Sequence, residues 1–274
     1  KKLYSGGIMF KVLKKQKIAV NTYMLQVSAP DAASNAKAGQ FAILQIDEYG
    51  ERIPLTIADY TKTTITLVIL ATRHTTKRLA TLKKGNTIQD FVGPLGNPTE
   101  IDKFGTVAIV GGGLGIAACY PIAKELYKAG NEVISILGAK SAKHLFWLDK
   151  FEKVSQPLIC TDDGSLGEKG IVTNSLRKLL RNKHLNRVIT IGPPVMMKAV
   201  SDLTKSRVKT VASLNPIIVD GIGMCGSCRV TVNQETKFAC VDGPEFDAHQ
   251  IKWLEFMRRN SRFEKQEKHV CRIR

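Results

Sequence analysis

The sequence is poor in several features that would each decide its class. Its 274 residues include only two tryptophans and six cysteines, and 24 Asp and Glu face 41 Lys and Arg. The longest apolar runs are far shorter than the roughly 20 residues of a membrane-spanning helix. The chain also lacks a charged segment followed by an apolar one, so a secretory signal is not expected. We therefore expect a cytoplasmic protein, in which free and metal-bound thiols persist.

The formal net charge of +17 is unusual and needs an explanation. Such a charge could attract nucleic acid, acidic lipid or an acidic protein. The basic residues are spread over the whole chain, however, and no basic block alternates with aromatic residues as in single-strand binders. We therefore expect a lysine-rich solvated surface and neither nucleic acid nor membrane as a partner. Docking of an acidic redox protein stays open.

Residues 1–99 are predicted to form a small antiparallel barrel. Five short apolar or alternating runs, separated by turn residues, cover 10–13, 24–27, 41–46, 65–70 and 87–92. Many short strands with regular turns are typical of such a barrel. One helix is expected between two of the strands, from Thr75 to Leu82, and residues 93–98 are predicted to form a linker.

Residues 100–210 change character, because continuous apolar runs now alternate with helical stretches. The runs cover 106–110, 132–138, 157–161 and 187–191, and helical stretches cover 120–128, 172–181 and 195–205. Strand–helix alternation predicts a parallel sheet with helices on both faces. The predicted fold class is β plus α/β: a barrel, then this α/β domain, then a small domain at 211–250. A helix and a basic tail are expected at 251–274.

A glycine loop lies between the first apolar run of the α/β region and its first helix. Gly111, Gly112, Gly113 and Gly115 leave room for a pyrophosphate in front of the helix N-terminus. Ile116 occupies the last position of a strict Gly-x-Gly-x-x-Gly motif, so a plain tight turn is the alternative. The position between strand and helix favours a dinucleotide site.

Other single residues offer contacts to such ligands. Lys140 follows the second strand, near the expected adenosine ribose, and leaves NADP open beside NAD; a solvated lysine is the alternative. Gly192 and Pro193 follow another strand and form either a lip at the nicotinamide side or a helix entry. In the barrel, Arg52 suits a phosphate and Thr56 a flavin ring nitrogen, whereas a surface ion pair is the alternative for Arg52.

Three cysteines form the pattern Cys225-x2-Cys228, eleven further residues, and Cys240. A plant-type [2Fe–2S] site reads Cys-x4-Cys-x2-Cys with a distant fourth cysteine, and Asp220 occupies the first position of this frame. The intervening glycines permit the tight turns that a cluster loop needs. Residues 229–232 and 237–240 are expected to pair as a hairpin across 233–235, which would return Cys240 to the loop that holds Cys225 and Cys228. We therefore expect a [2Fe–2S] cluster held by Asp220, Cys225, Cys228 and Cys240. Structural zinc is the alternative, although a second Cys-x2-Cys is absent.

The chain resembles the ferredoxin–NADP reductase-like flavoproteins over nearly its whole length. The resemblance lies in the order of a barrel, a nucleotide loop and a cluster loop. Residues 38–41, AGQF, are similar to the barrel signature of that family. The resemblance implies FAD contacts at Arg52, Pro54, Leu55, Thr56, Leu70, Ala71, Thr72, Thr75 and Thr76, although Thr75 replaces a usual glycine. It implies nicotinamide nucleotide contacts at Gly111–Ile116 and at Gly192–Pro193. Ile191 stands where many members have a cysteine, so no catalytic residue is assigned, and stacked flavin and nicotinamide need none.

Two branches of this family come close. One is the electron-transfer subunit of dihydroorotate dehydrogenase, with four cysteine ligands. The other is the small subunit of NADH-dependent reduced ferredoxin:NADP oxidoreductase, also called sulfide dehydrogenase beta subunit, which uses an aspartate. Asp220, with residues 215–221 and 238–247, favours the second branch.

The resemblance to the second branch implies an FAD and [2Fe–2S] subunit of a two-subunit NAD(P)H oxidoreductase. Its domains would be an FAD barrel at 1–99, an NAD(P) domain at 100–210 and a cluster domain at 211–250. It would exchange a hydride with NAD(H) or NADP(H), and electrons with a larger flavoprotein resembling the small subunit of glutamate synthase. In bifurcating members that partner handles ferredoxin. The dihydroorotate branch and a zinc-stabilised basic nucleic-acid-binding protein are the alternatives.

Overall fold

Two seven-stranded sheets and one two-stranded hairpin organise the part of the chain that the structure describes. This computed structural model describes residues 10–263, 266 and 269. Cys271 and most of the predicted basic tail lie outside the described residues.

The first sheet is antiparallel, with the strand order β6-β1-β2-β5-β4-β3-β7. Its strands are β1 (Phe10–Ala19), β2 (Thr22–Ser28), β3 (Phe41–Gln45), β4 (Ile53–Tyr60), β5 (Thr64–Leu70), β6 (Thr87–Ile88) and β7 (Asp90–Leu95). The edge strands β6 and β7 are separated by one residue, Gln89, so a single stretch of chain runs along both edges. The sheet therefore nearly closes on itself as the predicted barrel.

All five runs predicted in this region form strands, and the predicted helix is α2 (His74–Thr81), within one residue at each end. A short helix α1 (Pro30–Asn35) and strand β4 are additions to the prediction. Strand β4 was not predicted because it contains Pro54, and a proline, which lacks a backbone N–H donor, argues against a strand in the sequence. The predicted linker at 93–98 is wrong in its first half, since Leu95 pairs with Phe41 of β3.

The second sheet has the order β11-β10-β9-β8-β12-β13-β16, and only β16 pairs antiparallel within the described residues. Its strands are β8 (Thr106–Gly112), β9 (Glu132–Ala139), β10 (Gln156–Thr161), β11 (Glu168–Lys169), β12 (Arg187–Ile191), β13 (Thr210–Ser213) and β16 (Glu245–Asp247). Its helices are α3 (Gly115–Lys128), α4 (Leu148–Glu152), α5 (Val172–Asn182) and α6 (Pro194–Thr204). The predicted parallel sheet and its helices are thus confirmed.

Helix α3 joins the barrel to the parallel sheet. Its buried residues Ala117 and Ile122 share one apolar cluster with Met24 and Val68 of the barrel and with Ile109 of β8. Burial of this apolar surface, at roughly 25 cal/mol per Å², favours one fixed arrangement of the two sheets. Within the described part of the chain, no helix has the length and apolar character to cross a membrane.

The C-terminal region contains the predicted hairpin, built from β14 (Arg229–Val232) and β15 (Glu235–Phe238), and helix α7 (Trp253–Asn260). Its turn is two residues long, because Asn233 and Gln234 both adopt positive φ angles of 49° and 64°, as a tight hairpin turn requires. The boundary predicted at residue 210 falls inside β13, and β13 and β16 both extend the parallel sheet. The cluster region is therefore attached to the α/β domain through shared strands.

Candidate functional site

A cleft of about 560 Å³ opens between the barrel and the carboxyl ends of the parallel strands. This volume is typical of ligand sites, and the position is the one where open α/β sheets bind ligands. Nine of the residues predicted from the sequence line it: Pro54, Leu55, Thr56, Leu70, Gly112, Gly113, Gly115, Gly192 and Pro193. The structure thus brings together residues from both halves of the predicted site.

Strand β4 supplies the barrel wall of this cleft. Pro54, Leu55 and Thr56 are consecutive lining residues of the cleft. Thr56 is exposed, whereas its neighbours Leu55 and Ile57 are buried. Arg52 precedes the strand with the same parity as Pro54 and Thr56, but it does not line the cleft. Its Nη1 donates to Asp90 Oδ2 at 2.6 Å, and both side chains are 36% exposed. An incoming phosphate would have to compete with Asp90 for this guanidinium.

The predicted FAD contacts after Leu70 lie beside the cleft and do not line it. Ala71 donates its backbone N–H to Asn21 O, and Thr72 is exposed. Thr75 is buried and donates its hydroxyl to Glu51. Thr76 Oγ1 accepts the backbone N–H of Arg73 at 3.1 Å and so closes the first turn of α2. These residues shape the start of α2, next to Leu70.

The glycine loop forms the opposite wall. A Cβ on Gly115 would lie 2.2 Å from the carbonyl oxygen of Ile191, so only glycine lets α3 begin this close to β12. Gly113 has a φ of +56°, and a Cβ there would meet nothing within 4 Å. The loop is therefore an open cradle at a helix N-terminus, the arrangement that suits a pyrophosphate.

Three other predicted nucleotide residues lie outside the lining. Ile116 is fully buried in the core, and a Cβ on Gly111 would lie 2.9 Å from Cys119 Sγ. Both residues therefore pack α3 against β8. Lys140 is exposed at the end of β9, beside Asp162, whose backbone N–H donates to Ala139 O at 3.1 Å.

A third wall of the cleft was not predicted from the sequence. It is the segment after β13, and its lining residues are Ser213, Leu214, Asn215, Pro216 and Ile218. The available signal was the Asn215–Pro216 pair directly after a strand, because parallel strands end at the same edge of a sheet. This segment leads directly from the cleft into the cysteine loop.

The four predicted cluster ligands form two pairs. Cys228 Sγ and Cys240 Sγ are 3.2 Å apart, and both residues are buried. Cys225 is exposed, and its backbone N–H donates to Asp220 Oδ2 at 2.6 Å. Spacing and hairpin together have therefore brought Cys240 back to Cys228, as predicted.

This pairing fits a dinuclear cluster better than a zinc ion. Tetrahedral zinc needs four ligands around one point, whereas these four residues lie as two separate pairs. A [2Fe–2S] cluster takes two protein ligands on each iron. Three thiols and one carboxylate that lie in two pairs could supply two ligands to each iron.

Protonation differs between Cys240 and Asp220. Burial first, and then the neighbouring Cys228, raise the pKa of Cys240 to about 12. Desolvation opposes ionisation of Asp220, but hydrogen bonds from the backbone N–H groups of Ile222 and Cys225 bring the pKa of Asp220 below its ordinary value. Because thiolates are the metal ligands, loading of the loop must release the proton of Cys240.

The cysteine loop rests directly on the barrel. Cys228 and Cys240 share one apolar cluster with Phe41, Ile43 and Ile218. A Cβ on Gly221 would lie 2.6 Å from Ile43 Cδ1, so the loop and β3 are in close contact. Phe41 and Ile218 also line the cleft. Two side chains of the cleft wall therefore belong to the same apolar cluster as the buried cysteine pair.

Comparisons with known proteins agree with this geometry. Residues 215–252 match the model of the iron–sulfur cluster binding domain of dihydroorotate dehydrogenase B. The chain is 45% identical over 269 residues to a dihydroorotate dehydrogenase B (NAD(+)) electron transfer subunit homolog of Thermotoga maritima, covering 96% of this chain and 94% of that one.

Two solved structures extend the comparison. A chain of the NADH-dependent reduced ferredoxin–NADP oxidoreductase, studied for flavin-based electron bifurcation, superposes with a TM-score of 0.91 at 43% identity, covering 97% of both chains. Phthalate dioxygenase reductase superposes with a TM-score of 0.63 at 15% identity, covering 83% of this chain and 87% of that one. At that identity the second likeness concerns the fold alone.

Proposed function

The chain belongs to the family of dihydroorotate dehydrogenase B electron transfer subunits and their homologues, and from this premise we propose how it works. It is an FAD and [2Fe–2S] electron-transfer subunit of a heteromeric NAD(P)H oxidoreductase. The observation that carries this proposal is that Phe41 and Ile218 line the cleft and also belong to the apolar cluster that contains the buried cysteine pair. A cleft and a redox loop in such contact suit electron exchange between them.

In the proposed arrangement the cleft holds both flavin and nicotinamide. FAD, when bound, supplies hydride exchange with the nicotinamide and single-electron exchange with the cluster. Thr56 would offer its hydroxyl to the flavin ring, while Leu70 and Val68 exclude water from it. The glycine loop at 111–115 would hold a pyrophosphate through backbone N–H groups. Gly192 and Pro193 would place the nicotinamide at the carboxyl end of β12.

The cysteine loop would hold the cluster through Asp220 and Cys225 on one side and Cys228 and Cys240 on the other. The buried pair lies in one apolar cluster with Phe41 and Ile43 of the barrel, and these apolar surroundings keep water away. The other pair lies at the surface, beside Met224, which is 81% exposed, and Ile222, which is 57% exposed. A partner subunit would approach over these two apolar side chains.

We propose that this partner is a larger flavoprotein resembling the small subunit of glutamate synthase, and that ferredoxin is reached through it. Asp220 supports this branch, because a carboxylate stands where the dihydroorotate branch has its first cysteine. Lys140 and Asp162 lie together at the expected adenosine end. A lysine suits the 2′-phosphate of NADP(H) and an aspartate suits the ribose of NAD(H), so the proposal includes both nucleotides.

Electron transfer from dihydroorotate is the second candidate, favoured by the family model that matches 215–252. The two candidates differ in the partner. A flavoprotein of the glutamate synthase type should restore coupling among NADH, NADPH and ferredoxin, whereas a dihydroorotate-oxidising partner should restore reduction of NAD by dihydroorotate.

The test is purification of the chain alone and with each partner. Alone, it should bind FAD, show flavin and iron–sulfur absorption, and reduce artificial dyes with NADH. A chain that binds no FAD after reconstitution, or that carries stoichiometric zinc and no colour, would overturn the proposal.

A further inference from the structure

Three arginines surround the loop segment that carries the predicted cluster ligands. Arg229 Nη1 donates to Gly226 O at 3.0 Å, and Arg262 Nη2 donates to Ser227 Oγ at 3.0 Å. Arg259 Nη2 lies 3.5 Å from Ser227 O. All three guanidinium groups therefore contact the backbone or side chain of the two residues between Cys225 and Cys228. We call these three residues the arginine triad.

Helix α7 fixes the central member of the triad. Trp253 and Phe256 are buried on the inner face of the helix, in one apolar cluster with Val230 of β14. Arg259 follows Phe256 by three residues and so lies on nearly the same face. It is half-buried, and its Nε is fully buried without a hydrogen-bond partner among the described residues.

The triad is electrostatically costly in the absence of a nearby anion. Desolvation, together with repulsion from Arg229 and Arg262, lowers the pKa of Arg259. Glu255 is close enough to act in the opposite direction, but its Oε2 also accepts the hydroxyl of Thr231 at 3.0 Å. One acid beside three arginines leaves a net positive charge. Like charges brought together and partly buried need a counter-charge.

The chemistry of the loop supplies that counter-charge. A [2Fe–2S] cluster with three thiolates and one carboxylate is anionic, and one-electron reduction adds a further negative charge. The Cys228 sulfur lies near enough to Arg259 to interact with it electrostatically. Cationic groups at this position stabilise the reduced cluster more than the oxidised one, and net charge and hydrogen bonding are among the factors that set cluster potentials.

We propose that the arginine triad raises the reduction potential of the [2Fe–2S] cluster, with Arg259 as its strongest member. The triad acts through the cluster and not on the substrate, so its members are tuning residues. This inference rests on the proposed function, since it needs the cluster. It also gives a role to part of the +17 charge, which the cleft does not use.

The test is the cluster midpoint potential, measured on the complete FAD-loaded chain by redox titration followed by EPR. Arg259→Gln should lower the potential, and Arg259→Lys should keep most of it because the charge is retained. Arg258→Gln is the matched control, because Arg258 is exposed on the same helix, one residue away, and has no contact with the loop among the described residues. An Arg259→Gln potential equal to that of Arg258→Gln would overturn the proposal.

If Arg259→Gln fails to hold a cluster, its potential cannot be measured, and a second variant then tests the proposal. Arg262 is exposed two residues after the end of α7, so Arg262→Gln should keep the fold and the cluster while lowering the potential by a smaller amount. An unchanged or raised potential in Arg262→Gln would then contradict the triad. Absence of any cluster in the unmodified chain would instead contradict the proposed function, so the two failures are distinguishable.

Discussion

The cleft and the cysteine loop differ in what makes them selective. The nucleotide wall of the cleft is built from backbone: Gly115 has no room for a Cβ, and Gly113 leaves open space. The cysteine loop is built from side chains, and Cys228 and Cys240 meet because a hairpin returns the chain. The shape of the backbone determines what the cleft can bind, and the chemistry of the side-chain donors determines what the cysteine loop can bind. Substitutions should therefore disable one region and leave the other intact.

The largest effect is expected from Cys240→Ser, which should abolish the cluster and all transfer to the partner. A hydroxyl is a poor ligand for iron in such clusters, and the buried position offers no replacement thiolate. Flavin binding and dye reduction with NADH should persist. Iron content and visible absorption measure the outcome. Cys160→Ser is the control, because Cys160 is equally buried but lies in β10; a cluster retained in Cys240→Ser would contradict the ligand assignment.

Gly115→Ala tests the opposite region. The added Cβ would meet the backbone of Ile191 and Gly192, so α3 must shift by several tenths of an ångström or more. Because a 1 Å misplacement can cost about 100-fold, we expect kcat/KM for NADH to fall by roughly 10- to 100-fold, with the cluster absorption unchanged. Gly130→Ala, just beyond the C-terminal end of α3, puts a Cβ at a φ of +83° and meets only Lys103 Cε within 4 Å, so it should lower stability but leave NADH kinetics intact. Equal effects of the two variants would refute the steric explanation.

A subtler change is expected from Asp220→Cys. Thiolate donates more electron density than carboxylate, so the cluster should assemble but show a different EPR signal and midpoint potential. Asp242→Asn is the control, because Asp242 accepts a backbone N–H from Phe238 in the same region without belonging to the predicted ligand set. Values unchanged by Asp220→Cys would remove Asp220 from the ligand set.

The last prediction concerns Glu245 of β16, which lies outside both regions and contacts the segment after β7. Its Oε1 accepts the hydroxyl of Thr99 at 2.6 Å, and burial raises its pKa from 4.5 to about 7. Between these values the folded chain binds more protons than the unfolded chain, so stability should fall as pH rises from about 5 to 8, by about 3 kcal/mol at most.

Glu245→Gln should flatten this dependence and raise the melting temperature at pH 8. Thermal unfolding of the loaded chain at several pH values measures it. Glu235→Gln, an exposed acid whose pKa is lowered by Lys237, should leave the slope between pH 5 and 8 as it is. A slope that survives Glu245→Gln would assign the pH dependence to another group.

Much of this architecture was predictable from periodicity. Continuous apolar runs such as 106–110 could hardly be anything but buried strands, and the glycine loop and Cys-x2-Cys spacing carry their own chemistry. The Cys228–Cys240 contact was also predictable, since a hairpin between them leaves few alternatives. The hairpin turn is only two residues long, at Asn233 and Gln234, so its second strand begins two residues earlier than predicted. The contact between Cys228 and Cys240 is nevertheless the predicted one.

The missing parts depend on which distant segments meet. The segment 213–218 lines the cleft only because β13 extends the parallel sheet. The Asn215–Pro216 pair indicates a turn there but does not identify β13 as a strand. The arginine triad combines β14 with the end of α7, and Glu245 meets Thr99 across 146 positions. Arg52 shows the converse: its guanidinium suits a phosphate, but the fold places Asp90 beside it.

The most direct test of the link between cleft and loop is anaerobic titration of the reconstituted chain with NADH, followed by visible absorption and EPR. We expect flavin bleaching accompanied by the EPR signal of a reduced [2Fe–2S] cluster, and in Cys240→Ser flavin bleaching alone. A cluster that dithionite reduces but NADH leaves oxidised, while the flavin is fully reduced, would contradict the claim that the two regions form one electron-transfer unit.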